Sequence, residues 1–112
     1  YNDKHSIQTV NTPNKGAIAN LPYDCSVELN CVITKEGPQP IAGGNLPQEV
    51  IGLVSQIKSF ERTAVEAAIT GDYNTALTAL VINPLVPGDK IAKDILDEML
   101  EVNKTHLPRF FK

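Results

Sequence analysis

A chain of 112 residues with 42% hydrophobic residues and a formal net charge of −3 holds enough apolar material for one domain and no more. The mildly acidic balance leaves no basic face for nucleic acid, and no apolar run approaches the ~18 residues of a membrane-spanning helix. Tyr1-Asn2-Asp3-Lys4-His5 does not resemble a signal peptide, and the one methionine is Met99, so a piece cut from a longer protein is expected ahead of a processed product.

The first element is short. Ser6 to Thr12 is rich in β-formers but mixes its faces, and Thr12-Pro13-Asn14-Lys15-Gly16 is a turn signal. From Cys25 to Ile33 the pattern alternates: Cys25, Val27, Leu29, Cys31 and Ile33 face one way, Ser26, Glu28, Asn30 and Val32 the other. Period two predicts a half-buried strand. Short antiparallel strands are therefore expected within about residues 5–35. Between them lies Asn14 to Pro22, NKGAIANLP, whose centre Ala17-Ile18-Ala19 is apolar although a Gly, two Asn and a Pro surround it. A connection with that composition is shaped to sit against something.

Cys25 and Cys31 fall on one face but ~20 Å apart along an extended strand. A disulfide needs Cα atoms within about 7 Å, so the two do not pair within the strand. No CxxC or HxxxH companion gives them metal-ligand spacing. Two small buried hydrophobes in a reducing compartment account for them.

After Gly37-Pro38 the chain changes character. Asn45 as N-cap, Pro47 in the first turn and Gln48 at the capping-box position predict a helix start. Val50, Leu53, Val54, Ile57, Phe60, Ala64, Ala67 and Ala68 then recur at helical spacing, giving a helix over 47–70, ~36 Å long. Gly71 fits its C-terminal cap. Asp72 can cap a second helix carrying Ala76, Leu77, Leu80 and Val81, which must stop at Asn83-Pro84. Asp89 opens a third, with Ile91, Ile95, Met99 and Val102 as its apolar stripe. The tail Leu107-Pro108-Arg109-Phe110-Phe111 holds two of the three Phe and should dock. Strands first, then a three-helix segment within about 46–104, make an α+β domain covering 1–112.

No GxGxxG, Walker loop, HExxH, GxSxG or CxxC occurs. His5 and His106 sit at opposite ends and read as solvated groups. Asp97, Glu98 and Glu101 among Lys90, Lys93 and Lys104 make a solvated helix face. Asn103-Lys104-Thr105 matches a glycosylation acceptor, which matters only in a secreted protein. No catalytic, cofactor-binding or metal-binding residue is assigned within this chain.

The run VNTPNKGAIANLPYDCSVELNC resembles the C-terminal region of glycoside hydrolase family 4, in which N-x-G-x-I-x-N-L-P is followed by D-x-x-V-E. Here these are Asn14, Gly16, Ile18, Asn20, Leu21 and Pro22, then Asp24, Val27 and Glu28. IKSFERTAVEAA and GDYNTALTAL are most similar to its 6-phospho-β-glucosidases, and the resemblance runs from Tyr1 to Lys112. It implies the C-terminal domain of a lactate/malate dehydrogenase-like enzyme whose Rossmann NAD-binding domain is absent from this chain. It also implies NAD and a divalent metal, usually manganese, in the full-length enzyme, and neither bound by this piece alone. By family, NAD oxidises the sugar at C3, a tyrosine takes the C2 proton, the aglycone leaves by elimination, and the metal polarises the sugar oxygens. This is the NAD-dependent exception to two-carboxylate glycoside hydrolysis.

The family's glycine-rich loop, metal-binding Cys and His, and Tyr base lie outside the matching motif. None is carried onto Cys25, Cys31, His5, Tyr1, Tyr23 or Tyr73. What maps is the loop: Asn14 and Asn20 can bond backbone or ligand groups, Gly16 permits a positive φ, and Ile18 anchors the turn. Asn14, Gly16 and Asn20 are the candidate edge of a sugar-phosphate pocket or subunit interface; the alternative is a tight strand connection packed on its own core. The partners implied are a phosphorylated β-glucoside and the missing Rossmann domain, in the cytoplasm; separately, the long-helix stripe of Val50, Leu53, Val54, Ile57 and Phe60, flanked by Ile51, Val65 and Ile69, and the Phe110-Phe111 tail predict a homo-oligomer. The alternatives are a 6-phospho-α-glucosidase or another family 4 specificity, a lactate or malate dehydrogenase-like oxidoreductase domain, and a non-catalytic oligomerisation module.

Overall fold

The alternation that begins at Cys25 folds as a strand with one core face: Cys25, Val27 and Cys31 are buried, while Ser26, Glu28 and Asn30 are exposed. The computed structural model describes residues 3–112. In it β1 (Ile7–Pro13), β2 (Ser26–Thr34) and β3 (Gly37–Pro40) form an antiparallel sheet in the order β1-β2-β3. β1 registers Ile7 with Val32 and Pro13 with Ser26, so the loop between the two strands leaves and returns at one end of the sheet. Three helices follow, and the expected α+β class is observed.

The sheet extends to Pro40, beyond the limit of about 35 set by the sequence. β3 reads Gly-Pro-Gln-Pro, with no alternation of apolar residues and two prolines, which argue against a strand. It is tolerated because β3 is an edge: a proline there has no ladder hydrogen bond to donate outward. Thr34 Oγ1 lies 3.0 Å from the Gly37 carbonyl oxygen and accepts from the Glu36 N–H at 3.2 Å, which closes the β2–β3 turn.

α1 spans Gln48–Thr70. Its first i→i−4 bond runs from the Ile51 N–H to the Pro47 carbonyl at 3.0 Å, so Pro47, not Asn45, holds the cap position. The expected apolar stripe of α1 is also more open than its spacing suggested. Among the described residues of the helix only Ala67 is buried, and Leu53, Val65 and Ile69 are each more than half exposed.

Gly71, at φ +74°, ends α1. Asp72 caps α2 (Tyr73–Ile82), its carboxylate accepting from the Thr75 N–H at 2.6 Å, and Asn83 ends that helix before Pro84. α3 spans Asp89–Val102. Its buried stripe is Ala92, Leu96 and Leu100, one position round from the expected Ile91, Ile95, Met99 and Val102. The tail does dock, as a 3-10 turn over Pro108–Phe111.

The structure divides into two compact units, Tyr1–Ile51 and Gly52–Lys112. In the sheet unit Ala17, Leu21, Cys25, Val27 and Cys31 are buried together with Thr12 and Asn14. In the helical unit Ala67, Ala76, Leu96 and Leu100 form the core, with Tyr73, Leu77, Leu80, Leu107 and Phe110 packed against it. Phe110 of the tail is spent on this core.

Candidate functional site

The loop between β1 and β2 is organised from one residue. The Asn14 N–H donates to the Cys25 carbonyl and the Lys15 N–H to the Tyr23 carbonyl, both at 2.8 Å, continuing the ladder past the strand ends. Lys15 at φ 47° and Gly16 at φ 85° then reverse the chain, and the Ala17 N–H returns to the Asn14 carbonyl at 2.8 Å. Two consecutive left-handed residues are what a primed turn needs, and the glycine adopts that shape without strain.

The Asn14 side chain is 0% exposed and fully used. Its Nδ2 donates to the carbonyls of Ile18 (3.0 Å), Leu21 (3.2 Å) and Pro22 (3.0 Å), while its Oδ1 accepts from the Ile18 N–H at 2.8 Å. Asn20 makes a different link. Its amide donates to the Leu46 carbonyl at 3.1 Å and accepts from the Leu46 N–H at 2.9 Å. Ala17 and Ala19 complete the seam by pairing with Gly43 and Gly44, each at 2.8 Å. The apolar centre of NKGAIANLP therefore sits against the segment that leads into α1.

A depression of about 270 Å³ opens beside this loop, bordered by Asn14, Lys15, Gly16, Ala17, Pro40 and Ala42. Of the three candidate residues it gathers Asn14 and Gly16 and leaves out Asn20. Among its described lining residues Lys15 is the one charged side chain, and sequence reasoning passed it over. The signal was available: in Asn-Lys-Gly the middle residue must stand at the tip of the turn.

Among the described residues no three His, Cys, Asp or Glu side chains converge. Cys25 and Cys31 are free and buried in the sheet core, and His5 pairs only with Asp3, at 3.4 Å. Among the described residues that donor set does not fit a divalent metal.

The titratable side chains that do converge tie α2 to α3. Tyr73 Oη donates to Asp97 Oδ1 at 2.6 Å, and Lys93 Nζ donates to Oδ2 of the same carboxylate. The Lys93 hydrogen bond, then that of Tyr73, holds Asp97 below the usual carboxylate range. In return the bond to Asp97 raises both the Tyr73 phenol and the Lys93 ammonium. A depressed carboxylate stabilises the fold above its unfolded pKa, about 3.9, and that contribution is lost as pH falls through the lower folded value. A raised phenol contributes below about pH 10 and is lost as pH rises through its folded value. Asp72, lowered chiefly by the Thr75 hydroxyl bond, adds to the acid limb. Thermal stability should therefore be flat near neutrality and fall at both extremes. Asp97→Asn should remove most of the alkaline fall and leave the Asp72 share of the acid one, as read by helix circular dichroism across pH.

The description Family 4 glycosyl hydrolase C-terminal domain matches residues 1–86. The chain belongs to the family 4 glycosyl hydrolases. It is 68% identical over 111 residues to the "Probable 6-phospho-beta-glucosidase" of Bacillus subtilis (strain 168), a match covering 99% of this chain and 25% of that protein. In three dimensions it resembles a 6-phospho-alpha-glucosidase from gut microorganisms in complex with NAD and glucose-6-phosphate, with a TM-score of 0.91, 40% identity, and 95% of this chain and 24% of that one covered. The 6-phospho-beta glucosidase from Thermotoga maritima with manganese, NAD+ and glucose-6-phosphate superposes with a TM-score of 0.85 at 33% identity, covering 94% and 26%. This family 4 chain thus spans about a quarter of the length of the proteins it matches. Its α3 and tail lie past the 1–86 match.

Proposed function

We propose that this chain is the C-terminal domain of a cytoplasmic 6-phospho-β-glucosidase that needs NAD and a divalent metal, usually manganese, and cleaves phosphorylated β-glucosides. The observation that carries this is the 68% identity, over nearly the whole chain, to the B. subtilis protein of that name. The cofactor and metal are supported by the T. maritima structure with NAD+ and manganese. A 6-phospho-α-glucosidase is the second reading, favoured by the 0.91 superposition on the enzyme from gut microorganisms. Placement in the cytoplasm rests on the phosphorylated substrate and on two unpaired buried cysteines. No helix among the described residues is long and apolar enough to cross a membrane.

In this role the chain supports the catalytic site without supplying its acid, base or metal ligands. Asn14 and Asn20 hold the loop rigid, so that Gly16 and Lys15 stand at the edge of the substrate pocket or of a subunit interface. The test is the whole protein assayed on 4-nitrophenyl 6-phospho-glucosides of both anomers with NAD, manganese and reductant. Turnover of the β anomer alone is expected. The 112-residue chain on its own should give none, and turnover that survives repurification would overturn its supporting role.

We further infer a homo-oligomer. Val65 and Ile69 stand in water one turn apart on α1, with Leu53 also exposed further back along the helix, and apolar surface left open in this way marks an interaction face. Light scattering across a concentration series should show a dimer or larger species, weakened by Leu53→Asp. A monomer mass at the highest soluble concentration would defeat this.

A further inference from the structure

α3 carries two apolar stripes, of which the helical unit uses one. Ala92, Leu96 and Leu100 are buried. The neighbouring stripe of Ile91, Ile95, Met99 and Val102 lies outside the core, with Ile91 44%, Met99 51% and Val102 75% exposed. Ile95, Glu98, Met99, Val102 and Asn103 line a depression of about 240 Å³ along it.

The outer flank of that stripe is acidic. At 100° per residue Asp94, Glu98 and Glu101 fall on the side of the stripe away from the core. All three are exposed. Among the described residues Asp94 and Glu98 make no ion pair, and Glu101 has only Lys104 at 4.0 Å. The basic Lys93 is already engaged with Asp97.

We propose that this groove receives an amphipathic helix whose apolar stripe is flanked by Lys or Arg, supplied by the part of the longer protein that this chain does not span. The inference rests on the proposed identity of the chain as one domain of a larger enzyme, since it covers about a quarter of its relatives. Ile95, Met99 and Val102, at i, i+4 and i+7, present one continuous helical face, to which the i, i+3, i+4 and i+7 anchors of a docking amphipathic helix can be matched. Met99 suits such a floor because its unbranched thioether repacks around different side chains. A second copy fits poorly. Antiparallel α3 helices about a two-fold would set one acidic flank against the other, and like charges across an interface repel. Parallel pairing would leave both flanks without cations.

Met99 is the one methionine in the chain, so its methyl resonance reports on the groove directly. The probes are a Leu-rich helical peptide with Lys on both sides of its stripe and a twin carrying Glu instead. With the isolated chain the Lys peptide should shift the Met99 signal and bind about tenfold tighter than its twin at low salt, the preference shrinking as salt rises. The double variant Asp94→Lys, Glu98→Lys changes only exposed side chains and should reverse the preference. In the whole protein Met99 should already show the shifted signal and ignore added peptide. Equal binding of both peptides at all salt concentrations, or no Met99 shift with either, would overturn the proposal. So would a whole protein whose Met99 signal matches the free chain, or a concentration-dependent Met99 shift without peptide that Ile95→Asp abolishes. Loss of glucosidase activity on either anomer bears on the proposed function and leaves the Met99 readout intact.

Discussion

Gly71→Ala is expected to destabilise the helical unit by about 4 kcal/mol, lowering its melting temperature on the order of 20 °C. The residue sits at φ +74°, where an L side chain costs about 1 kcal/mol. A larger cost comes from the tail. A Cβ at Gly71 would lie 2.3 Å from the Arg109 carbonyl oxygen, 2.5 Å from its carbon and 2.7 Å from its Cβ. Two of these are backbone atoms, so no side-chain rotation relieves them and the 3-10 turn must lift. Lifting it withdraws Phe110 from the core cluster, about 2 kcal/mol, and breaks the Arg109 bonds to the Ala68 and Ile69 carbonyls at 3.3 and 2.8 Å, about 1 kcal/mol together. Two comparisons separate the causes. Gly71→Asn tolerates the left-handed backbone but keeps the Cβ, so it should be nearly as harmful. In a chain lacking residues 107–112 the same Gly71→Ala change should cost only the ~1 kcal/mol of backbone strain. If the penalty is equal with and without the tail, the clash has no part in it.

That junction shows where sequence reasoning reached and where it stopped. Gly71 was legible as a helix end, and Asp72 and Asn83-Pro84 bracketed α2 correctly, because caps and breakers act locally. The use of Gly71 as a seat for Arg109 was not legible, since the contact joins residues far apart in the chain. The third helix failed in a related way. Ile91, Ile95, Met99 and Val102 make a more apolar stripe than Ala92, Leu96 and Leu100, so periodicity selected the wrong face. Leu96 and Leu100 won the interior because they meet Ala67 and Ala76 in the core cluster, a contact between helices that periodicity along α3 does not record. β3 was lost because Gly-Pro-Gln-Pro has no strand signature except permission to lie at an edge. In the candidate site the unusual composition of NKGAIANLP was visible, and the resemblance placed Asn14, Gly16 and Asn20 within it. Which asparagine was buried depended on the turn geometry, so the sequence could not distinguish a residue facing a ligand from one holding the loop.

Asn14 supplies the sharper test of that distinction. Asn14→Ala should destabilise the sheet unit by about 3 kcal/mol, because it leaves the Ile18 N–H and the Ile18, Leu21 and Pro22 carbonyls short of partners in a buried site. Asn14→Asp is nearly isosteric and should be worse at neutral pH. The carboxylate can still accept from Ile18, but it turns three donor contacts into a buried negative charge facing carbonyl oxygens. Burial and those oxygens disfavour ionisation, so the folded-state pKa of the introduced acid lies above its unfolded value of about 3.9. The sign follows: the variant holds its remaining stability below that unfolded value and loses it as pH rises through the folded one. Asn14→Asp should thus gain stability relative to the unsubstituted chain on going from pH 7 to pH 4, since a protonated acid again offers one donor to the carbonyls. Asn14→Ala should show no such gain. Denaturant unfolding of the three proteins at the two pH values measures this. An Asn14→Asp chain as stable as the original at neutral pH would mean that the side chain faces water, and would return Asn14 to the ligand-binding role that its burial argues against.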